Sequence, residues 1–202
     1  SEDAHLIVMP IGAGELAINR LRWNEFTTDN WKRALKAETI VPPEMFDKAD
    51  QAFDMSDPAA DLPAGAPFYC KDGLCLARHP GGAIVALAQD WKTARTACAF
   101  ADLIVIDDAT ARNPCRDPLA LVITKRQLAR QGSAAIFFDP EAASSQPSVA
   151  FSVSQPYRPW HEQRQFSREA RGLPPASKPE RPRTAKPAIS NGESAQQADP
   201  AP

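Results

Sequence analysis

The stretch of residues 82–107, GAIVALAQDWKTARTACAFADLIVID, decides the fold class. It opens with a short apolar run, residues 83–88, that is typical of a β-strand. Asp90 is expected to cap a helix over residues 91–100, because an aspartate side chain accepts a hydrogen bond from the free N–H groups of a first helical turn. One face of that helix carries its apolar side chains: Trp91, Ala94, Cys98 and Ala101. Residues 103–106 (LIVI) are apolar throughout, as expected of a strand buried on both faces.

Further short elements are predicted on both sides of this strand–helix–strand unit. Toward the N-terminus lie a strand pair, residues 6–9 and 15–19, and a helix that begins at Thr28 or Asp29 and ends near Leu35. The other predicted elements are a hairpin over residues 68–77, strands over residues 119–123, 134–138 and 149–154, and a helix over residues 124–130. Strands and helices of this length, alternating along the chain, predict an α/β domain: a layered, mixed β-sheet with flanking helices.

The chain divides into a domain and a tail. Residues 172–202 are rich in Pro, Ser, Ala, Gln and Lys, and Leu173 and Ile189 are their only large apolar side chains. Such a composition cannot bury enough apolar surface to offset its chain entropy. We therefore predict an α/β domain over residues 1–171 and a disordered, Pro-rich tail over residues 172–202. A second irregular stretch is predicted over residues 54–67, which contain several prolines.

Charge is distributed unevenly along the chain. The sequence contains 23 Lys and Arg against 25 Asp and Glu, a net charge of −2. Residues 155–187, which connect the domain to the tail, hold eight basic and three acidic side chains. The net charge of this connector is therefore +5, and that of the rest of the chain is −7. The acidic part repels polyanions, and the basic connector attracts them. The longest apolar run, residues 99–106, is too short to cross a bilayer and is interrupted by Asp102.

Two cysteines lie on the predicted hairpin. In the sequence Tyr-Cys-Lys-Asp-Gly-Leu-Cys, the Asp72-Gly73 pair is a strong signal for a two-residue turn. That turn places Cys70 opposite Cys75 as a non-hydrogen-bonded pair, whose Cα atoms are about 4.5 Å apart. This separation suits a disulfide.

The other two cysteines flank the predicted buried strand. Cys98 lies near the end of a helix and Cys115 in the loop beyond the strand, so a second disulfide can join them. An even number of cysteines that pair in this way is typical of an oxidising compartment. A zinc site and a redox-active dithiol are the alternatives, although the second pair is spaced more widely than close zinc-ligand pairs are.

Few residues suggest catalysis. His5, His79 and His161 are far apart in the sequence, and we interpret them as packing or surface residues. Asp107 and Asp108 end the predicted buried strand, where α/β proteins often place their sites. A metal-binding carboxylate pair and an ordinary strand exit both remain open there. We predict no catalytic residue, no cofactor and no metal ligand.

Aromatic and basic side chains alternate near the C-terminus. The candidate DNA-contact residues are Arg158, Trp160, Arg164, Phe166, Arg168 and Arg171. Aromatic rings stack on bases and arginines attract phosphates, which together bind single strands without reading their sequence. The alternative is a terminal helix that packs Trp160 and Phe166 on the domain and leaves its arginines in solvent.

Several segments in order along the chain carry a family resemblance. They are ELAINR (15–20), NEFT (24–27), the Cys70–Cys75 hairpin, ADLIV (101–105), PWHE (159–162) and FSR (166–168). Together they resemble the C-terminal, metallo-β-lactamase-like region of the ComEC family of competence proteins, in particular the alphaproteobacterial type. The resemblance covers most of residues 6–173 and implies part of a metallo-β-lactamase fold.

The resemblance also implies a place and partners for the domain. ComEC proteins are inner-membrane channels that pass one strand of incoming DNA into the cytoplasm, and this region is thought to face the periplasm. The implied partners are the transmembrane channel portion of the same protein and single-stranded DNA, bound weakly and without sequence preference. The opening residues, Ser1-Glu2-Asp3, are expected to be a cut within a longer protein.

The zinc-ligand motif of active metallo-β-lactamase folds, H-x-H-x-D-H, does not occur in this sequence. We therefore expect a non-catalytic accessory domain of a DNA-uptake channel. The alternative is a fragment of a metal-dependent nuclease or hydrolase whose zinc ligands lie upstream of Ser1.

Overall fold

The structure is a computed structural model that describes residues 6–46, 62–116, 120–138, 147–153 and 158–176. Of the predicted C-terminal tail, only the first five residues fall within these ranges. The remainder of that prediction lies outside the described residues, as do residues 54–61 of the predicted irregular stretch and His5.

The described residues form strands and helices that alternate along the chain. In chain order they are β1 (Val8–Gly12), β2 (Glu15–Ile18), α1 (Glu25–Leu35), β3 (Thr39–Val41), β4 (Glu44–Met45), β5 (Tyr69–Lys71), β6 (Leu74–Arg78), β7 (Ile84–Ala88), α2 (Trp91–Ala97), β8 (Leu103–Ile106), β9 (Leu121–Thr124), α3 (Lys125–Gln131), β10 (Ala134–Phe137), β11 (Ser148–Phe151) and a 3-10 helix (Pro159–Phe166). The predicted mixture of strands and helices is confirmed.

A mixed six-stranded sheet, in the order β4-β5-β6-β7-β8-β9, forms the centre of the described structure. Its middle strands β5, β6 and β7 run antiparallel, whereas β7, β8 and β9 run parallel. Strands β1, β2 and β3 form a second sheet, and β10 pairs with β11. Helix α2 crosses from β7 to β8 and packs against both strands, while α3 contacts β9. The prediction of an α/β structure with mixed strand pairing is therefore confirmed, with the described strands divided among three sheets.

Strand β8 lies in the middle of the apolar core, as its sequence predicted. All four of its side chains are buried. Ile104 and Ile106 face one side of the sheet and pack in a cluster with Ala94 of α2. Leu103 and Val105 face the other side and pack in a second cluster. A strand that contacts apolar clusters on both faces must be apolar at every position, which explains the LIVI sequence.

Helix α1 begins earlier than predicted. Asn24, rather than Thr28 or Asp29, is its N-cap, because the Asn24 side chain accepts a hydrogen bond from the Phe26 N–H at 2.9 Å. Thr28 lies within the helix, where its hydroxyl donates to the Glu25 carbonyl at 2.9 Å.

The prediction that Trp91 shares the buried face of its helix is wrong. Trp91 is 47% exposed, whereas Ala94 and Ala97 are the buried residues of α2. The small alanine side chains let α2 lie close to the sheet, and Trp91 at the first turn extends into solvent with Lys92 Nζ 5.9 Å from its ring centroid.

The described end of the predicted irregular stretch is anchored to the central sheet. Leu62 is buried in the core, and its carbonyl accepts a hydrogen bond from Arg78 Nε at 2.8 Å. Ala64 forms an isolated parallel bridge with Arg78. Phe68, next to β5, is fully buried. These residues close one end of the sheet without forming a long strand.

Both predicted disulfides are present. Cys70 and Cys75 face each other across the β5–β6 hairpin with their Cα atoms 4.0 Å apart. The turn residues Asp72 and Gly73 both have positive φ angles, as a type I′ turn requires. The second bond joins Cys98, at the end of α2, to Cys115, with their Cα atoms 5.4 Å apart. All four cysteine sulfurs are therefore paired.

Candidate nucleic-acid interface

The C-terminal segment, residues 158–174, lies along helix α3. Arg164 donates a hydrogen bond from Nη2 to the Leu128 carbonyl at 3.4 Å. Arg130 of α3 donates from Nε to the Ala170 carbonyl at 2.7 Å, and Ala170 is fully buried. Arg164, a predicted DNA contact, is half-buried and instead holds the segment against the domain.

The phase of the 3-10 helix decides which side chains face solvent. Such a helix has three residues per turn, so residues three apart share a face. His161 and Arg164 are half-buried on the inner face. Trp160 and Phe166, six residues apart, share a different face and are 61% and 75% exposed. The interpretation in which these two rings pack on the domain is therefore wrong. With a rise of about 2 Å per residue, their Cα atoms are separated by about 12 Å along the helix.

Three further predicted contact residues lie at the surface of this segment. The Arg158 guanidinium is 5.3 Å from the centroid of the Trp160 ring, a cation–π arrangement that holds a positive charge beside an exposed aromatic face. Arg168 donates two hydrogen bonds to the Pro174 carbonyl, at 3.2 and 2.9 Å, which fix the chain just after the 3-10 helix. Arg171 is exposed. The segment therefore presents two aromatic rings and three arginines to solvent.

The two carboxylates that follow β8 have different partners. Asp107 Oδ1 accepts from Lys125 Nζ at 3.0 Å, and Asp107 Oδ2 lies 3.6 Å from Arg20 Nη2. Asp108 accepts instead from the backbone N–H and the hydroxyl of Thr110, at 2.8 and 2.7 Å. Within the described residues, no group of three or more His, Cys, Asp or Glu side chains could hold a metal ion. We name Arg20, Asp107 and Lys125 the strand-end cluster, because they lie where β8 and β9 end.

The C-terminal segment reaches this edge of the sheet. Gly172 has a φ of 71°, and a Cβ at that position would lie 3.3 Å from both the Ala109 carbonyl oxygen and Arg126 Nη1. Arg126 follows Lys125 of the strand-end cluster in the first turn of α3. The C-terminal segment thus lies against α3 at Arg126, one residue after Lys125 of the strand-end cluster.

Residues 20–26, of which Arg20 belongs to the strand-end cluster, were not among the predicted contact residues. All seven are exposed, including Leu21, Trp23 and Phe26. The available signal was the sequence RLRW, residues 20–23, in which arginines alternate with large apolar side chains much as they do after Arg158.

A cavity of about 270 Å³ lies between β1, α1, β10 and one face of the central sheet. Its described lining is apolar except for His79, whose ring centroid is 4.8 Å from that of Phe138. His79 Nδ1 accepts a hydrogen bond from the Gly81 N–H at 3.0 Å. One histidine among apolar side chains provides no acid–base pair and no nucleophile, so this cavity has no evident catalytic chemistry.

Burial lowers the pKa of His79 below its ordinary value, which makes stability depend on pH. The folded protein disfavours the protonated ring, so its stability is fully present above the unfolded-state value near pH 6.5 and falls as the pH drops toward the lower folded-state pKa. We expect the melting temperature to fall more between about pH 7.5 and about pH 5.5 in the wild type than in His79→Gln. Parallel pH profiles of the two proteins, measured by thermal unfolding, would contradict this prediction.

Comparisons of the chain with protein-family models, curated proteins and solved structures found no match. In the described part of the chain, no helix combines the length and the apolar character needed to span a bilayer. Among the described residues, Trp160 and Phe166 of the C-terminal segment are exposed together with the basic side chains of Arg158, Arg168 and Arg171.

Proposed function

We propose that this chain is a non-catalytic accessory domain of a membrane DNA-uptake channel protein and that it contacts the passing single strand. It would form part of the metallo-β-lactamase-like region of a ComEC-type protein, on the periplasmic face of the inner membrane. The observation that carries the proposal is the exposure of Trp160 and Phe166 on one face of a helix that is itself anchored to the domain.

Stacking explains why these two rings would be held in solvent. Aromatic side chains are enriched at binding surfaces relative to the rest of a protein surface. Each base stacked on such a ring contributes about 1–3 kcal/mol, and stacking does not depend on which base is present. Arg158, Arg168 and Arg171 add attraction for phosphates. The expected ligand is therefore single-stranded nucleic acid, bound without sequence preference and more weakly as salt rises.

The disulfides support the proposed location. Bonds such as Cys70–Cys75 and Cys98–Cys115 persist in oxidising compartments, among them the bacterial periplasm. A channel domain in that compartment would meet incoming DNA before the strand crosses the membrane. The transmembrane portion of the same parent protein is the second proposed partner.

Replacing both exposed rings tests the proposal. We expect Trp160→Ala/Phe166→Ala to bind a labelled single-stranded oligonucleotide at least tenfold more weakly than the wild type at low salt, because about 1.4 kcal/mol corresponds to tenfold and two stacks are lost. Fluorescence anisotropy measures the affinity. Trp91→Ala is the matched control, since Trp91 is an exposed tryptophan beside Lys92 on α2.

The control should bind as the wild type does. Unchanged affinity in the double variant, or an equal loss in Trp91→Ala, would count against a contact at the C-terminal segment. Absence of binding by the wild type would remove the proposal altogether.

Zinc content tests the non-catalytic part of the proposal. We expect no stoichiometric zinc in the purified protein after dialysis, because the two described histidines already have structural partners: His79 accepts from Gly81, and His161 Nδ1 accepts from the Arg158 N–H at 3.3 Å. Elemental analysis measures the metal. One or two zinc ions per chain would contradict this expectation and favour a metal-dependent nuclease.

A further inference from the structure

We propose that a single strand bound at the C-terminal segment continues across the strand-end cluster onto a second contact surface formed by residues 20–26. This inference rests on the proposed function and extends it, because it adds the path of the strand and a set of contact residues. We name residues 20–26 the second contact surface.

The composition of this surface matches that of the C-terminal segment. Its seven consecutive residues are all exposed, and three of them, Leu21, Trp23 and Phe26, are large and apolar. Phe26 is 73% exposed. Arg20 and Arg22 carry positive charge beside the apolar side chains, and with Glu25 the seven residues have a net charge of +1. Aromatic rings interleaved with arginines provide both stacking and phosphate contacts.

The second contact surface is anchored at both ends. At its start, Asn19 is buried, and its side-chain oxygen accepts a hydrogen bond from the Ile7 N–H at 2.7 Å. At its end, Asn24 caps α1. Arg20 is tied to the central sheet through Asp107. These contacts restrain the backbone, so the exposed rings would lose little conformational freedom when a ligand binds.

Residues of α3 and the strand-end cluster link the end of the C-terminal segment to Arg20, the first residue of the second contact surface. Gly172, at the end of the C-terminal segment, lies against Arg126. Arg126 follows Lys125, which shares Asp107 with Arg20. Asp107 pairs with both Arg20 and Lys125, so these three side chains together carry one net positive charge.

The positive charge selects a polyanion over other ligands. The chain outside residues 155–187 carries −7, so a basic edge on an acidic protein would concentrate an anionic strand there and repel it elsewhere. Trp23 and Phe26 add ring faces on which bases can stack. A single strand can contact the C-terminal segment, the strand-end cluster and the second contact surface in succession.

The path predicts that affinity depends on oligonucleotide length. The test uses oligothymidylates of about 4 and about 16 nucleotides. These lengths are close to the smallest and largest numbers of nucleotides that one single-strand-binding fold covers. Both are titrated into the full chain and into Arg22→Ala/Phe26→Ala, whose replaced side chains are exposed. Trp91→Ala is the control, and circular dichroism with thermal unfolding verifies that each variant is folded.

We expect the double variant to bind the short oligonucleotide as the wild type does and the long one about tenfold more weakly. A longer oligonucleotide has more ways to bind, and this statistical advantage is the same for both proteins. A lower ratio of long-oligonucleotide to short-oligonucleotide affinity in the double variant therefore reports the loss of the second contact. An unchanged ratio in the double variant would overturn this inference. The proposed function fails by a different result, namely unchanged binding of the short oligonucleotide in Trp160→Ala/Phe166→Ala.

Discussion

Replacing Cys98 and Cys115 together by alanine is expected to lower the free energy of unfolding by about 3 kcal/mol. The bond joins residues 17 apart in sequence, and the stabilisation of a disulfide grows with the loop that it closes in the unfolded chain. It also ties the end of α2 to the loop after β8, where both half-cystines pack against the apolar cluster on that face of the central sheet. Without the bond, this loop gains freedom in the unfolded state.

Urea denaturation measures the loss, and the hairpin disulfide provides a comparison. Cys70 and Cys75 are only 5 apart in sequence, so Cys70→Ala/Cys75→Ala is expected to cost less, about 2 kcal/mol. Adding a thiol reductant to the wild type should lower its stability below that of either variant. A larger loss in the hairpin variant, or no loss at Cys98 and Cys115, would contradict the loop-length explanation.

Phe68→Ala is expected to lower the free energy of unfolding by about 3–5 kcal/mol, because it removes a large and fully buried aromatic side chain. Phe68 packs in a cluster that contains Met9 and Ala17 from the β1–β2–β3 sheet and Val85 from the central sheet. The void would therefore open in a cluster to which both sheets contribute. Neither sheet can close it without moving relative to the other, so the loss is expected at the upper part of the usual range.

A matched phenylalanine shows whether burial is the cause. Phe137 lies on β10 and is 58% exposed, so Phe137→Ala is expected to change stability by less than about 1 kcal/mol. Urea unfolding of the two variants under the same conditions gives the comparison. Losses of similar size would contradict the central position assigned to Phe68.

Elements with strong local signals could be predicted from the sequence. Strand β8 has four apolar residues in succession, and only a fully buried strand requires that pattern. The Asp72-Gly73 turn specified the β5–β6 hairpin and the opposition of its cysteines. The cap of α1 was less well specified, because Asn24, Thr28 and Asp29 are all good N-cap residues, and only the backbone path decides which side chain reaches a free N–H.

Elements formed by distant pairing could not be predicted. Strand β4 has two residues and pairs with β5, more than twenty residues later in the chain. Strand β3 has three and pairs with β2 across helix α1. Neither has a local pattern of its own, since pairing with another strand defines them both.

The sequence also did not determine whether the candidate contact residues are exposed. An aromatic ring in an otherwise polar helix can pack or face solvent, and composition does not distinguish the two. In the structure Arg164 contacts Leu128 of α3, and Trp160 and Phe166 lie in solvent.

Photo-cross-linking tests the central claim most directly. A single-stranded oligothymidylate carrying iododeoxyuridine forms covalent bonds on irradiation with aromatic side chains that stack on the substituted base. The linked peptides of the full chain are then identified by mass spectrometry. We predict cross-links at Trp160 or Phe166 that decrease as salt is raised. Cross-links found only outside residues 158–171, or none at an oligonucleotide concentration that saturates binding, would contradict the proposal that this segment holds the single strand.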